Sequence, residues 1–441
     1  MADIKRFSSH LATTLLTQCG MMALSIATSI VLTRALQPEG RGIYAIVIFF
    51  ASLMTYYSTF GIGQSAIYFV GKGHHSLSVI IGNTLALSAL LSVLSMAMGV
   101  GLIWFFSLQF FPDVPSPFLW LGIVLIPVQL MLGIMTQLVL AIQNVRVYNL
   151  ARLFQSAITL FAMVVFLWWR QGAVFSALGI EIFVSVGVCV LLWATLRNAV
   201  GPLIYRPQFS YIRGAIQYGF STYLGSTLSL LHYRVDVFLI NLFMKVSQVG
   251  FYSLSASLAE KISFFSDSIS TLLFPRLAAE KDSVAANSLT PIVFRTVLFS
   301  MMGMGGLVIV MGGILITLFY GTTYAPSILP LRILVVGTIA AGAWGVLESD
   351  FKSRGFPLLG FLTTAVSTVL NVVLNCFWIP RYGIVGAATA TAVSYSLSLF
   401  VGMGIFCRLS GQSGLDVLLP RKRDFLLYRD VWNRLSQGVR A

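Results

Sequence analysis

Charge is scarce in this chain. Asp, Glu, Lys and Arg make up 10 % of its 441 residues, with 14 acids against 28 bases. A soluble protein of this length needs a solvated surface that so few charges cannot supply, which excludes a soluble globular fold. Cysteine is equally sparse. Cys19, Cys189, Cys376 and Cys407 lie far apart in apolar runs, without the spacing of a zinc site or a disulfide framework. The four histidines show no metal-ligand spacing either, so no metal and no cofactor are expected. Short alternating strands are missing as well, which excludes a transmembrane β-barrel.

What is present is apolar: 57 % hydrophobic residues and a mean hydropathy of +0.89. In lipid the backbone must pair within itself, so long continuous apolar runs read as helices. Runs of roughly twenty residues predict about twelve spans, near 11–33, 43–70, 78–107, 117–143, 153–169, 173–196, 215–243, 249–273, 291–320, 328–347, 356–379 and 383–407. The first follows Lys5 and Arg6, lacks a small-residue cleavage site, and reads as a retained span.

The formal charge of +14 would suggest nucleic acid for a soluble protein. Here it follows the positive-inside bias, and no nucleic-acid partner is expected. With the N-terminus in the cytoplasm, twenty Lys and Arg fall on that side and six on the other, with Arg234 and Lys261 left inside the membrane. Both termini are therefore expected to be cytoplasmic.

The halves resemble each other. Gly42-Ile43-Tyr44 and Gly250-Phe251-Tyr252 share Gly-x-Tyr, and Arg146 and Arg354 repeat at the same 208-residue offset. Arg170-x-Gly-x-Val-x-x-Ala recurs from Arg381 at nearly that offset. The fold class expected is an all-α polytopic membrane protein, two six-helix bundles around a central cavity, a transporter architecture. The expected divisions are an N-terminal bundle 1–200, a basic cytoplasmic linker 201–214, a C-terminal bundle 215–408 and a basic cytoplasmic tail 409–441.

Polar residues follow helical faces. Residues two apart are about 200° apart on a helix, so Arg234 and Asp236 diverge while His232 and Asp236 share a face. That face continues back through Ser229, Ser226, Thr222 and Tyr218. The eighth span carries Ser253, Ser257, Glu260, Asp267 and Thr271, with Lys261 one step round. The eleventh carries Thr364, Ser367 or Thr368, Asn371 and Asn375, and the fourth carries Gln129, Gly133, Thr136 and Gln137. Ser and Thr alone are adequately explained as helix-to-helix ties. The ionisable groups are not, because each costs about 2.5–3.5 kcal/mol at the bilayer centre. Glu181 and Glu348 are weaker candidates. Glu348 sits beside Asp350, Lys352 and Arg354 near a span end.

A family resemblance rests on several stretches. "LTRALQPEGRGIYAIVIFFASLMTYYSTFGIGQSAIYFVG" (32–71) resembles the first two spans of O-antigen-type polysaccharide flippases. "YRVDVFLINLFMKVSQVGFYSLSASLAEKISFF" (233–265), "RYGIVGAATATAVSY" (381–395) and "LLPRKRDF" (418–425) are similar to their seventh and eighth spans, last span and tail. These proteins belong to the multidrug/oligosaccharidyl-lipid/polysaccharide exporter superfamily. The resemblance implies a bacterial inner-membrane transporter, not an enzyme. It would move undecaprenyl-diphosphate-linked oligosaccharide to the outer leaflet for O-antigen or exopolysaccharide synthesis. Glu260-Lys261-Ile262 and Phe274-Pro275-Arg276-Leu277 are similar to a pattern of the lipid II flippase, which implies a substrate-facing cation at Lys261.

The expected mechanism is alternating access. Arg234 and Lys261 bind the anionic, lipid-linked oligosaccharide. His232, Asp236, Glu260, Asp267, Asn371 and Asn375 line the cavity or bind a coupling proton or sodium ion. The phospholipid bilayer and polysaccharide-assembly proteins are the other partners considered. Two rivals stay open. A drug/cation antiporter on the same architecture would want a cavity dominated by carboxylates. A membrane glycosyltransferase or polymerase would need a catalytic acid in a wide loop, for which Asp113 is the candidate.

Overall fold

In the computed structural model, residues 2–73, 75–169, 174–201, 207–279 and 283–419 are described, and all regular structure among them is helical. His74, Arg170, Gly172, part of the linker and the basic tail from 420 lie outside the described residues. The chain runs α1 (Ala2–Ser58), α2 (Ile62–Lys72), α3 (Leu77–Phe110), α4 (Ser116–Ala141), α5 (Val145–Trp169) and α6 (Val174–Val200). It continues with α7 (Phe209–Phe243), α8 (Val246–Ala279) and α9 (Ser283–Leu315). A π turn (Ile316–Tyr320) and a 3-10 turn (Thr322–Ser327) lead into α10 (Ile328–Ser353), α11 (Pro357–Ser410) and the short α12 (Gly414–Leu418).

Two helices are too long for one crossing. At about 1.5 Å per residue, the 57 residues of α1 and the 54 of α11 far exceed a hydrocarbon core of roughly 30 Å. Each contains one residue with non-helical backbone that divides it. In α1 this is Gln37 (φ 56°, ψ 174°), followed by Pro38. In α11 it is Gly383 (φ 60°, ψ −143°), just after Pro380. Eight segments among the described residues are long and apolar enough to span a membrane. With both bends, α7 and α8 counted, the helices are consistent with twelve crossings. The chain is a multi-pass membrane protein.

The expected span 43–70 is interrupted. Phe60 (φ 43°) and Gly61 (φ 66°) adopt left-handed backbone between α1 and α2, a break that an unbroken apolar run does not announce. The chain divides into two compact units. One comprises Met1–Leu254, Ile314–Ser327 and Asn375–Ala387; the other comprises Ser255–Gly313, Ile328–Leu374 and Ala388–Ala441.

In the first unit α4 packs between neighbours. Leu130, Ile134 and Leu138 are buried with Ile80 and Ile81 of α3 and Leu192 and Leu196 of α6. The remaining face of α4 carries Gln129, Gly133 and Gln137. The repeat-related glycines meet directly. A Cβ on Gly42 would collide with the Val246 carbonyl and lie 3.1 Å from Gly250 N, and one on Gly250 would collide with the Pro38 carbonyl. In the second unit the buried helix is α10. Its Gly337 lies against Ala392 of α11 and its Gly342 against Met301 of α9, the close approach that small residues permit.

Candidate functional site

In the first unit, α7 brings His232 and Asp236 to one buried face, at 6 % and 5 % exposure. Arg234 is half-buried, off that face. Asp236 accepts a hydrogen bond on each oxygen: Val237 N–H donates to Oδ1 at 2.8 Å and Tyr252 Oη donates to Oδ2. The carboxylate therefore ties α7 to α8. Asn375 is completely buried. The side chains of Thr222, Ser226, Ser229 and Thr271 lie outside the described residues.

In the second unit, Glu260 and Lys261 are half-buried and Asp267 is exposed along α8. Asn371 is buried, and its Nδ2 donates to Thr391 Oγ1 at 3.2 Å. Ser367 Oγ donates to the Ser394 carbonyl at 2.6 Å. These two bonds join the two parts of α11. Glu348 pairs with Lys352 at 2.8 Å. Asp350 accepts from Arg354 Nε at 2.5 Å and from Thr290 Oγ1 at 2.7 Å.

The first unit holds a second polar cluster. Arg41 is 6 % exposed. Its Nη1 donates to Thr33 Oγ1 across the Gln37 bend, among Tyr44, Tyr320 and Tyr324. Tyr44 Oη donates to Glu181 Oε1 at 2.9 Å. Tyr44 and Tyr252 are the repeat-related tyrosines, and each donates to a carboxylate of another helix. The signal was the shared Gly-x-Tyr; helical faces drawn one helix at a time could not show the partners.

The end of this unit around the Gln37 bend is tied together. Arg34 donates through Nε and Nη2 to the Phe319 and Leu318 carbonyls, both at 2.6 Å. Tyr324 Oη donates to the Thr33 carbonyl at 3.1 Å, and Ser327 Oγ to the Phe251 carbonyl at 2.9 Å. Asp113, the acid that a polymerase reading needs, accepts from Val246 N–H at 3.3 Å at the start of α8. Among the described residues, no group of three His, Cys, Asp or Glu comes together to hold a metal ion.

The profile of a family described as polysaccharide biosynthesis protein matches residues 31–329, more than half of the chain. The chain belongs to that family. Among its relatives is a probable low-salt glycan biosynthesis flippase of Haloferax volcanii, 25 % identical over 219 residues, which are 48 % of this chain and 45 % of that protein. The chain thus spans about half the length of the curated relatives it matches. The fold is that of multidrug/oligosaccharidyl-lipid/polysaccharide exporters. An inward-facing multidrug resistance MATE family transporter matches with a TM-score of 0.70 at 14 % identity, over 89 % of this chain and 94 % of that one. The lipid II flippase MurJ in an inward closed conformation matches with a TM-score of 0.64 at 14 % identity, over 90 % and 89 %.

Proposed function

We propose that the protein is a flippase that carries a polyprenyl-diphosphate-linked oligosaccharide, undecaprenyl in a bacterium, from the cytoplasmic to the outer leaflet by alternating access. Two bundles, 1–200 and 215–408, joined by the linker 201–214, move about a central cavity, with both termini cytoplasmic in the plasma membrane. The observation that carries this reading is the pair of cations Arg234 and Lys261, each half-buried on a helix of a chain with very little charge. Ionisable groups in membrane-spanning segments mark substrate and ion pathways. A guanidinium presents a fork that matches phosphate oxygens, and an ammonium adds a point charge. The relatives named for glycan flipping and the family's biosynthetic description support an anionic, lipid-linked sugar as that partner.

His232, Asp236, Glu260 and Asp267 are assigned to setting the cavity's charge and binding a coupling proton or sodium ion, with Asn371 and Asn375 lining it. The tied end around Gly42, Gly250 and Arg34 is assigned as the outer closure of an inward-facing state. Separation of the two Gly-x-Tyr copies would open it. The antiporter reading shares the fold, but these two half-buried cations disfavour a cationic drug.

The test is complementation. In cells lacking the gene, Arg234→Ala and Lys261→Ala are expected to abolish surface glycan at normal protein level, with partial rescue by Arg234→Lys and Lys261→Arg. Normal surface glycan from both Ala variants overturns the assignment.

A further inference from the structure

The face of α4 that carries Gln129, Gly133 and Gln137 is not used by the cation pair. These residues are four apart, so they stack on one side of the helix. In the first unit that side opens into two neighbouring cavities, of about 240 Å³ and 570 Å³. Both are walled by Gln64 of α2 together with Gln129, Gly133 and Gln137. The larger falls within the usual range of small-molecule sites, roughly 300–1,000 Å³.

The groove is shaped for close polar contact. The break at Phe60–Gly61 swings α2 against α4, and Gly63 leaves room for the Gln137 amide, with which a Cβ there would collide. Gln137 Oε1 is buried and accepts no hydrogen bond among the described residues. Gly133 faces open space, with nothing within 4 Å of where its Cβ would stand. Tyr223 lines the smaller cavity, stacked on Phe60 with ring centroids 5.4 Å apart. Arg152 lines the larger one. It lies over the Tyr148 ring and donates to Tyr148 Oη at 3.0 Å.

Side-chain amides in a membrane-spanning segment need polar partners, because lipid provides none. This lining has no carboxylate among the described residues, so it does not suit a cationic drug. Each amide offers both donors and an acceptor, which suits adjacent hydroxyls that act in both roles. A tyrosine ring offers an apolar face with a polar edge, which suits the CH face of a pyranose.

We infer that this glutamine-lined groove of the first unit is a glycan subsite, which holds the sugar of the lipid-linked substrate while Arg152 meets an acidic group at its mouth. The inference rests on the flippase reading and assigns substrate contacts in the N-terminal half. Neither Arg234 nor Lys261 is among the residues that line the two cavities.

The test is binding by the full-length protein in lipid nanodiscs. Two probes are compared: the lipid-linked oligosaccharide that accumulates in cells lacking the protein, and the same polyprenyl diphosphate without sugar. Gly133→Leu places a side chain in the groove from a position whose Cβ meets nothing within 4 Å, and Gly303→Leu, whose Cβ is equally unobstructed, is the control. Gly133→Leu and the pair Gln129→Ala/Gln137→Ala are expected to weaken the sugar-bearing lipid about tenfold or more. The sugar-free lipid should change less than about twofold, as should both lipids with Gly303→Leu. Should Gly133→Leu fail to fold, the double Ala variant decides alone.

Equal effects on both lipids, or none, overturn the glycan subsite while leaving the flippase reading intact. If no oligosaccharide accumulates, or the unmodified protein binds neither lipid, the flippase reading falls and the subsite falls with it.

Discussion

Replacing Gly42 by Ala puts a methyl group where α1 and α8 touch through their backbones. The new Cβ would collide with the Val246 carbonyl and stand 3.1 Å from Gly250 N. Both obstacles are main chain, so no rotamer change relieves them and the helices must separate. Overpacking of this kind costs about 1–3 kcal/mol. The substitution also removes a glycine from a helix interior, which returns about 0.5–1 kcal/mol. The net expectation for Gly42→Ala, and equally for Gly250→Ala, is a loss of up to about 2.5 kcal/mol, centred on about 1 kcal/mol. Gly133→Ala and Gly303→Ala, which meet nothing within 4 Å, keep only the gain and should be neutral or slightly stabilised. The assay is thermal unfolding of the four purified variants in one detergent, followed by intrinsic fluorescence. If Gly42→Ala melts at or above the unmodified protein, level with Gly133→Ala, then the two Gly-x-Tyr copies are not in contact.

Gln37 holds backbone angles that only glycine adopts easily, so Gln37→Gly is expected to raise stability by about 1 kcal/mol, read as a higher melting temperature. Tyr252→Phe removes a donor from buried Asp236. It should cost about 1–3 kcal/mol, and a double-mutant cycle with Asp236→Asn should show strong coupling. Arg354→Ala strips the cation from Asp350, whose side chain is 1 % exposed, and should cost about 3–5 kcal/mol. Lys352→Ala breaks a pair that is 47 % and 30 % exposed and should cost under about 1 kcal/mol.

Apolar runs made the helices legible, because lipid leaves the backbone no other way to pair. The Gly-x-Tyr repeat was equally informative: Gly42 and Gly250 lie against each other, and Tyr44 and Tyr252 each reach a carboxylate. Helical spacing also set Gln129, Gly133 and Gln137 on one face. It could not show what that face meets, since the break at Phe60–Gly61 that brings Gln64 and Gly63 alongside falls inside an apolar run. Arg41 shows the same limit: a charge near a turn ordinarily lies in water, but the bend at Gln37 folds it back onto Thr33. Arg295 is also buried, at 4 % exposure. It is held by the Asp416 carbonyl at 2.7 Å, a partner far along the chain that spacing cannot supply. His232 and Asp236 do share a face, but Tyr252, to which Asp236 is tied, belongs to the next helix.

The central claim is that the protein moves a lipid-linked glycan across the membrane. It is tested most directly by the leaflet on which that lipid resides. In spheroplasts of a deletion strain, oligosaccharide protected from an externally added glycan-modifying enzyme reports the inner leaflet. The account predicts that lipid-linked oligosaccharide accumulates there, and that restoring the unmodified protein, but not Arg234→Ala/Lys261→Ala, brings it to the outside. An unchanged distribution in the deletion strain would contradict it.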